Sequence, residues 1–314
     1  MAEPLVGRRP LPDRLRRTLA HNWQLYVLVA LPLVYLVIFH YVPMYGAQLA
    51  FKKYRTALGI WGSEWIGFDH LIAFFKSFQF QRIVRNTISI SAYSLVAGFP
   101  VPIILAIALN NSQARRFKKT VQLVTYAPHF ISTVVMCGMI IQFLSPSVGI
   151  VNKFIAAFGL QPVGFMGRPE WFQTIYVFSG IWQQAGYASI IFLAALASVS
   201  PELHEAAIVD GAGMLQRNWH IDLPAIMPTA IILLILNVGN LMSVGFEKVF
   251  LLQNAMNLET SEVIQTFVYK RGIAWQPPNF SYAAAVGLFN SVVNLVMLVA
   301  VNALARRVSD TSLW

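Results

Sequence analysis

The sequence is poor in charge and nearly empty of cysteine. Only 11% of its 314 residues are Asp, Glu, Lys or Arg, and 13 of those are acidic, whereas a soluble domain carries about 25% charged residues. So little charge cannot clothe a water-soluble fold of this length. The single cysteine, Cys137, lies inside an apolar block, which excludes an intrachain disulfide and a cysteine-rich zinc site. No Gly-x-x-x-x-Gly-Lys-[Ser/Thr] segment is present to cradle a nucleotide phosphate, so nucleotide hydrolysis would have to belong to another chain. The histidines at 21, 40, 70, 129, 204 and 220 are scattered without metal-ligand spacing, and His129 beside Pro128 reads as a packed, hydrogen-bonded residue. Carboxylates are missing from the middle of the apolar blocks, where an ion-coupled carrier would need them. A membrane-embedded enzyme would need a nucleophile with its base, or a set of metal ligands, and none is evident.

What is present is apolar. Hydrophobic residues make up 57% of the chain, and the mean hydropathy is +0.59. They gather into blocks of about twenty, the length a helix needs to cross about 30 Å of hydrocarbon. The pattern predicts an all-α integral membrane protein with six spans: Tyr26–Met44, Thr87–Leu109, Val121–Leu144, Thr174–Ala197, Ala225–Phe250 and Ala283–Leu304. Residues 1–25 then form a basic leading segment, 26–304 the membrane domain, and 305–314 a short tail.

The net charge is +10. Because the basic residues sit mostly between apolar blocks, anionic lipid heads rather than nucleic acid are the expected partner. Arg8, Arg9, Arg14, Arg16 and Arg17, with Arg115, Arg116, Lys118, Lys119, Arg217, Arg306 and Arg307, fall on the side of the termini. The excess is small, since Lys52, Lys53, Arg55, Lys76, Arg82 and Arg85 crowd the first loop opposite, but it places both termini in the cytoplasm. The segment Arg8–Arg17 reads either as an amphipathic helix on the inner surface or as a disordered basic tail. The apolar run after it is too long for a signal-peptide core and lacks a small-residue cleavage site, so it is read as a retained span.

Proline occurs inside the predicted spans at Pro32, Pro100, Pro102, Pro128 and Pro228, and each removes a backbone donor from its helix. Broken helices persist in lipid where protein or a wet cavity satisfies the freed groups. The expected outer loops, rich in aromatic residues and turn formers such as Trp61-Gly62-Ser63 and Gln276-Pro277-Pro278, read as ordered caps. Polar residues at membrane depth either line a path or join one helix to another. The candidates for a solute path are Tyr126, Trp182, Gln183, Tyr187, Asn237, Asn240, Asn290 and Asn294, with His129, Gln184 and Ser243 beside them and Glu247 near the outer end of the fifth span, next to Lys248.

Between the fourth and fifth spans runs a polar stretch, residues 201–224. Pro201 suits a first helical turn, Glu202 and Glu205 favour its positive end, and Gly211 and Gly213 break it before a second short helix. Glu205-Ala206-Ala207, then Asp210-Gly211, then Ile221-x-Leu223-Pro224 resembles the EAA loop of binding-protein-dependent ABC importer permeases at every position of the family pattern. Tyr41-Val-Pro-Met-Tyr-Gly, Phe51-Lys-Lys-Tyr, Ile60-Trp-Gly-Ser, Arg85-Asn-Thr and Ser312-Leu-Trp314 are similar to oligosaccharide and polysaccharide permeases of the LplB type, a kind found in alginate-oligosaccharide importers.

The resemblance implies the type I ABC importer fold and a non-catalytic subunit that moves an oligosaccharide or polysaccharide-derived saccharide across the bacterial cytoplasmic membrane. It implies that the loop is a coupling helix seated in a groove of a cytoplasmic ATPase. The expected partners are a second, homologous permease, two ATPase subunits holding ATP and Mg, and an extracytoplasmic solute-binding protein. No cofactor or metal is expected in this chain. The residues also fit the coupling role on their own chemistry: the alanines give a low surface another protein can approach, Glu205 can pair with a basic residue, and Gly211 permits the bend.

Overall fold

Long apolar runs form continuous helices, even across Pro32 and Pro228, in the computed structural model, which describes residues 20–308. The Arg8–Arg17 segment and the closing Ser312-Leu-Trp314 lie outside the described residues. Among the described residues four helices are long and apolar enough to cross a membrane, Trp23–Phe51, Phe80–Asn111, Met214–Gly239 and Phe280–Arg307, and the spans number up to six when each of two bent pairs is counted as one. One bent pair is Arg115–Phe130 with Thr133–Phe143, and the other is Pro169–Leu196 with Pro201–Val209.

The third span is therefore not the single helix that the hydropathy of Val121–Leu144 predicts. Pro128 has no amide hydrogen to donate, Ile131 is extended, and Ser132 restarts the helix by accepting from the Val135 amide at 3.4 Å. The two halves meet at 101°. The carbonyl of Ile131, freed by the break, accepts from Gln183 Nε2 of the fourth span at 2.9 Å. A broken helix in lipid needs that kind of substitute partner.

The fifth span also departs from expectation. The predicted run to Phe250 stops at Gly239, with Asn240 at its end, and a separate short helix, Phe246–Leu252, follows an irregular turn. Side chains hold that turn: Asn294 Oδ1 accepts from the Met242 amide at 2.9 Å, and Gln265 Nε2 donates to the Met242 carbonyl at 2.6 Å.

The fourth span is the hub, packing on the second, third and fifth, while the fifth packs along the sixth. Its approach to the third is backbone-close, because a Cβ placed on Gly186 would stand 2.0 Å from the carbonyl oxygen of Thr125. Ala106, Phe192, Leu196, Ile226 and Ala230 form the apolar core at the end near the 201–224 loop. Ile90, Met136, Phe172, Val249 and Val263 form one toward the other end. By contrast none of the apolar window of the first span is buried within this chain. That helix is left to lipid or to another subunit.

The end remote from the 201–224 loop is capped by ordered structure, as its aromatic loops predict. Lys52–Lys53 pairs antiparallel with Glu64–Trp65, and short helices run over Asp69–Lys76, Ile150–Ala157 and Ile264–Tyr269. Arg82 and Lys270 both pair with the buried carboxylate of Glu262, and Asn86 ties the second span to the carbonyls of Glu259 and Glu262. Asn152 bonds to the carbonyls of Leu144, Ser145 and Val163 and to the Val163 amide, closing the cap over the third span.

Candidate functional site

Two features stand out, a protruding elbow between the fourth and fifth spans and a cavity among the spans. The elbow is set by local chemistry. Ser200 caps the helix Pro201–Val209 by accepting from the Glu202 amide at 3.3 Å, and Pro201 occupies the first turn, where no amide bond is lost. The helix ends at Gly211, whose φ of 80° lies in the left-handed region. Its amide bonds to Ile208 O at 3.0 Å and that of Ala212 to Ala207 O at 2.8 Å, the paired closure of a Schellman end. The elbow turns 76° from the fourth span.

A second helix, Met214–Arg217, passes through a π turn at Asn218–Asp222 into the fifth span. Glu205, Ala206, Asp210, Gly211 and Pro224 are exposed, while Ala207, Ile221 and Leu223 are half-buried. Together Ala207, Asp210, Gly211, Gln216, Arg217 and Ile221 border a groove of about 340 Å³. Val209 and Leu215 are 87% and 80% exposed, so apolar side chains flank that groove without covering.

Asp222 was not singled out in the sequence, yet it is fully buried and lies 3.3 Å from His204 Nε2 on the elbow helix. Asn218, turned with its amide nitrogen toward the carboxylate, donates to the other Asp222 oxygen at 3.0 Å. The elbow is thus tied to the base of the fifth span.

The cavity, about 660 Å³, lies between the second, fourth and fifth spans and reaches the helix Phe246–Leu252. Of the predicted path residues, Gln183, Asn237 and Asn240 line it, together with Gln184 and Ser243. Asn237 and Asn240 each donate one turn back, to Leu233 O at 2.8 Å and Leu236 O at 3.0 Å, which leaves their side-chain oxygens for a visitor.

Tyr126, Trp182, Tyr187, Glu247, Asn290 and Asn294 are outside its wall. Trp182 and Tyr187 are on exposed faces of the fourth span, and Tyr187 stacks on His129 with ring centroids 3.8 Å apart. His129 Nδ1 in turn lies 2.9 Å from Gln184 Oε1. Asn294 serves the turn after the fifth span, bonding Met242 and Ser243, and the Asn290 oxygen is buried without a partner. Glu247 is exposed.

Its neighbour Lys248 instead enters the cavity, because the helix restarts at Phe246 and changes which face is presented. Lys248 Nζ donates to Tyr176 O at 2.6 Å and sits 4.5 Å from the centre of the Tyr176 ring. Ser91, Ser94, Thr133 and Tyr176 also line the cavity, none of them singled out by the sequence. No Asp or Glu among the described residues lines the cavity. Among the described residues no group of three or more His, Cys, Asp or Glu could hold a metal.

Over residues 98–310 the chain matches the family of binding-protein-dependent transport system inner membrane components. It is 40% identical over 312 residues, 99% of this chain and 97% of the relative, to the polygalacturonan/rhamnogalacturonan transport system permease protein YteP of Bacillus subtilis strain 168. Protein LplB of the same organism is 40% identical over 92% of this chain and 91% of its own. A crystal structure of a bacterial ABC transporter involved in import of the acidic polysaccharide alginate contains a chain that superposes with a TM-score of 0.86 at 42% identity, covering 94% of this chain and 99% of that one. A second, of a bacterial alginate ABC transporter in complex with an alginate pentasaccharide-bound periplasmic protein, gives 0.87 at 41% identity over 96% and 100%. The array of apolar helices, the capped elbow with its Glu-Ala-Ala and Gly positions, and these matches agree: the chain is a non-catalytic permease subunit and belongs to the family of binding-protein-dependent transport system inner membrane components.

Proposed function

We propose that this chain forms one half of a gated path in the bacterial cytoplasmic membrane, through which a saccharide released from a polysaccharide enters the cell, driven by ATP hydrolysis on separate subunits. The observation that carries the reading is one chain holding both parts of such a device, a cavity among the spans whose apolar wall is studded with amides and hydroxyls, and an elbow in contact with the base of the fifth span that borders it. Amides and hydroxyls on the cavity wall suit sugar hydroxyls, and Tyr176 offers an aromatic face for a sugar ring. Among the described residues no carboxylate lines that wall, which argues against coupling to a proton or sodium ion.

In this reading Glu205, Ala206, Ala207, Asp210, Gly211, Ile221, Leu223 and Pro224 present the elbow to a cytoplasmic ATPase, two copies of which hold the ATP and Mg. The termini share the elbow's side of the membrane. A second permease covers the bare first span, and a solute-binding protein delivers cargo at the capped end. Gln183, Asn237 and Asn240 contact the saccharide. Site-directed crosslinking tests the arrangement: a cysteine at Ala206 should crosslink to a co-expressed ATPase, and one at Trp61, in the opposite cap, should not. Crosslinking of the ATPase at Trp61 alone would invert the proposed topology.

A further inference from the structure

Among the described residues Lys248 is the only charged one on the cavity wall. It is 8% exposed, and its ion-pairing reach holds no carboxylate among the described residues. Its one protein hydrogen bond, to Tyr176 O, uses one of three ammonium donors. The ring of Tyr176 lies beneath it. Space around the pair is kept open by two glycines. A Cβ on Gly180 would stand 3.2 Å from Lys248 Nζ, and one on Gly245 would stand 3.2 Å from the Tyr176 hydroxyl.

Burying an ammonium without a counter-charge is unfavourable. Neutral sugar hydroxyls would be served by the Ser and Asn side chains already present, so a neutral cargo gives the lysine no task. We propose that Lys248 is a carboxylate-binding group of this cavity, and that the saccharide it receives carries uronate carboxylates. Resting on the saccharide-permease reading, the assignment makes the cargo supply the missing negative charge. A carboxylate at Nζ gains a charge-assisted hydrogen bond while the adjoining ring packs against Tyr176. Lys248 stands at the end of the cavity remote from the elbow, where cargo arriving from the capped side would meet it first.

The test uses the complete importer in proteoliposomes, with ATP-driven uptake of trigalacturonate, trimannuronate and neutral maltotriose measured for wild type, Lys248→Met and Lys248→Arg. Wild type should take up at least one oligouronate. Lys248→Met should lower that uptake on the order of tenfold to a hundredfold, and Lys248→Arg by no more than a few-fold. Oligouronate uptake by Lys248→Met at the wild-type rate overturns the proposal, as does equal loss in both variants, which would make the lysine a packing element. Wild-type uptake of maltotriose but of neither oligouronate overturns it too, while leaving the saccharide-permease reading standing; failure to take up any saccharide counts against both.

Should Lys248→Met fail to assemble, equilibrium binding to the wild-type complex without the binding protein decides. Trigalacturonate should bind about tenfold tighter than its trimethyl ester. Equal binding overturns the assignment.

Discussion

His204 Nε2 lies 3.3 Å from Asp222 Oδ1, and this contact joins the elbow helix to the base of the fifth span. Asp222 is fully buried, so removing its histidine partner leaves the carboxylate with the Asn218 amide alone in place of water. His204→Ala should reduce the ATPase response to loaded binding protein several-fold with the complex still assembled. Purified complexes compared by ATPase assay check it, and an unchanged response would show that the contact carries no motion.

Gly211 provides a sharper local test. Its φ of 80° costs a residue with a Cβ about 1–2 kcal/mol. No other atom would meet an added methyl there, so the penalty is conformational alone. Gly211→Ala should weaken ATPase docking about tenfold without affecting membrane insertion, measured as co-purification across detergent-solubilised complexes.

Gly186 predicts a failure of folding. A Cβ at this position meets the backbone of Thr125 at 2.0 Å from its oxygen and 2.4 Å from its carbon, neither of which can rotate away. Gly186→Ala should separate the third and fourth spans and lower the melting temperature of the complex by several degrees or abolish assembly. A thermal-shift measurement equal to wild type would show that the two helices do not pack this closely.

Asn237 and Asn240 each offer one free side-chain oxygen to the cavity. Losing one neutral hydrogen bond costs about 0.5–1.5 kcal/mol, so each alanine variant should slow saccharide uptake several-fold rather than stop it. Trp182→Ala, on an exposed face outside the cavity, separates cargo contact from subunit contact. Its expected effect is on recovery of the assembled complex, read by size-exclusion chromatography.

Lys248 also predicts a pH dependence. Burial pushes its pKa from 10.5 down to about 8. The titratable groups around it are Cys137 and Tyr176, with Glu247 preceding it on the same short helix and facing outward. The folded lysine sheds its proton near pH 8 and the unfolded one near 10.5, so its charged burial disfavours the fold below about pH 8 and that penalty fades as pH rises through this window. Binding runs the other way. Trigalacturonate affinity should fall as pH rises through about 8 on the capped side, while Lys248→Arg should remain flat; equilibrium binding from pH 6.5 to 9.5 checks it.

The elbow was the most legible part of the chain because its determinants are local. Ser200 and Pro201 start a helix and Gly211 ends it, whatever surrounds them. The spans were legible as apolar runs, but their interruptions were not. Pro128 marked a weakness in the third span without fixing a 101° turn, which also needs Gln183 to take the freed carbonyl. Hydropathy continued past Gly239 and concealed the end of the fifth span, since the turn there is held by Asn294 and Gln265 from distant sequence. With the restart unseen, the sequence puts Glu247 and Lys248 together near the outer end of the span, whereas of the two Lys248 lines the cavity. Ser91, Ser94 and Tyr176 line the cavity by virtue of which helices neighbour one another, information that no single helix carries.

Coupling through the elbow is tested most directly by ATP hydrolysis in proteoliposomes holding the assembled importer, with and without saccharide-loaded binding protein. Wild type should be stimulated by the loaded protein, with saccharide accumulating in the lumen. Glu205→Lys, reversing an exposed charge that no described residue pairs with, should abolish both the stimulation and the accumulation while the complex remains intact. Full stimulation and accumulation in an intact Glu205→Lys complex would contradict coupling through this loop.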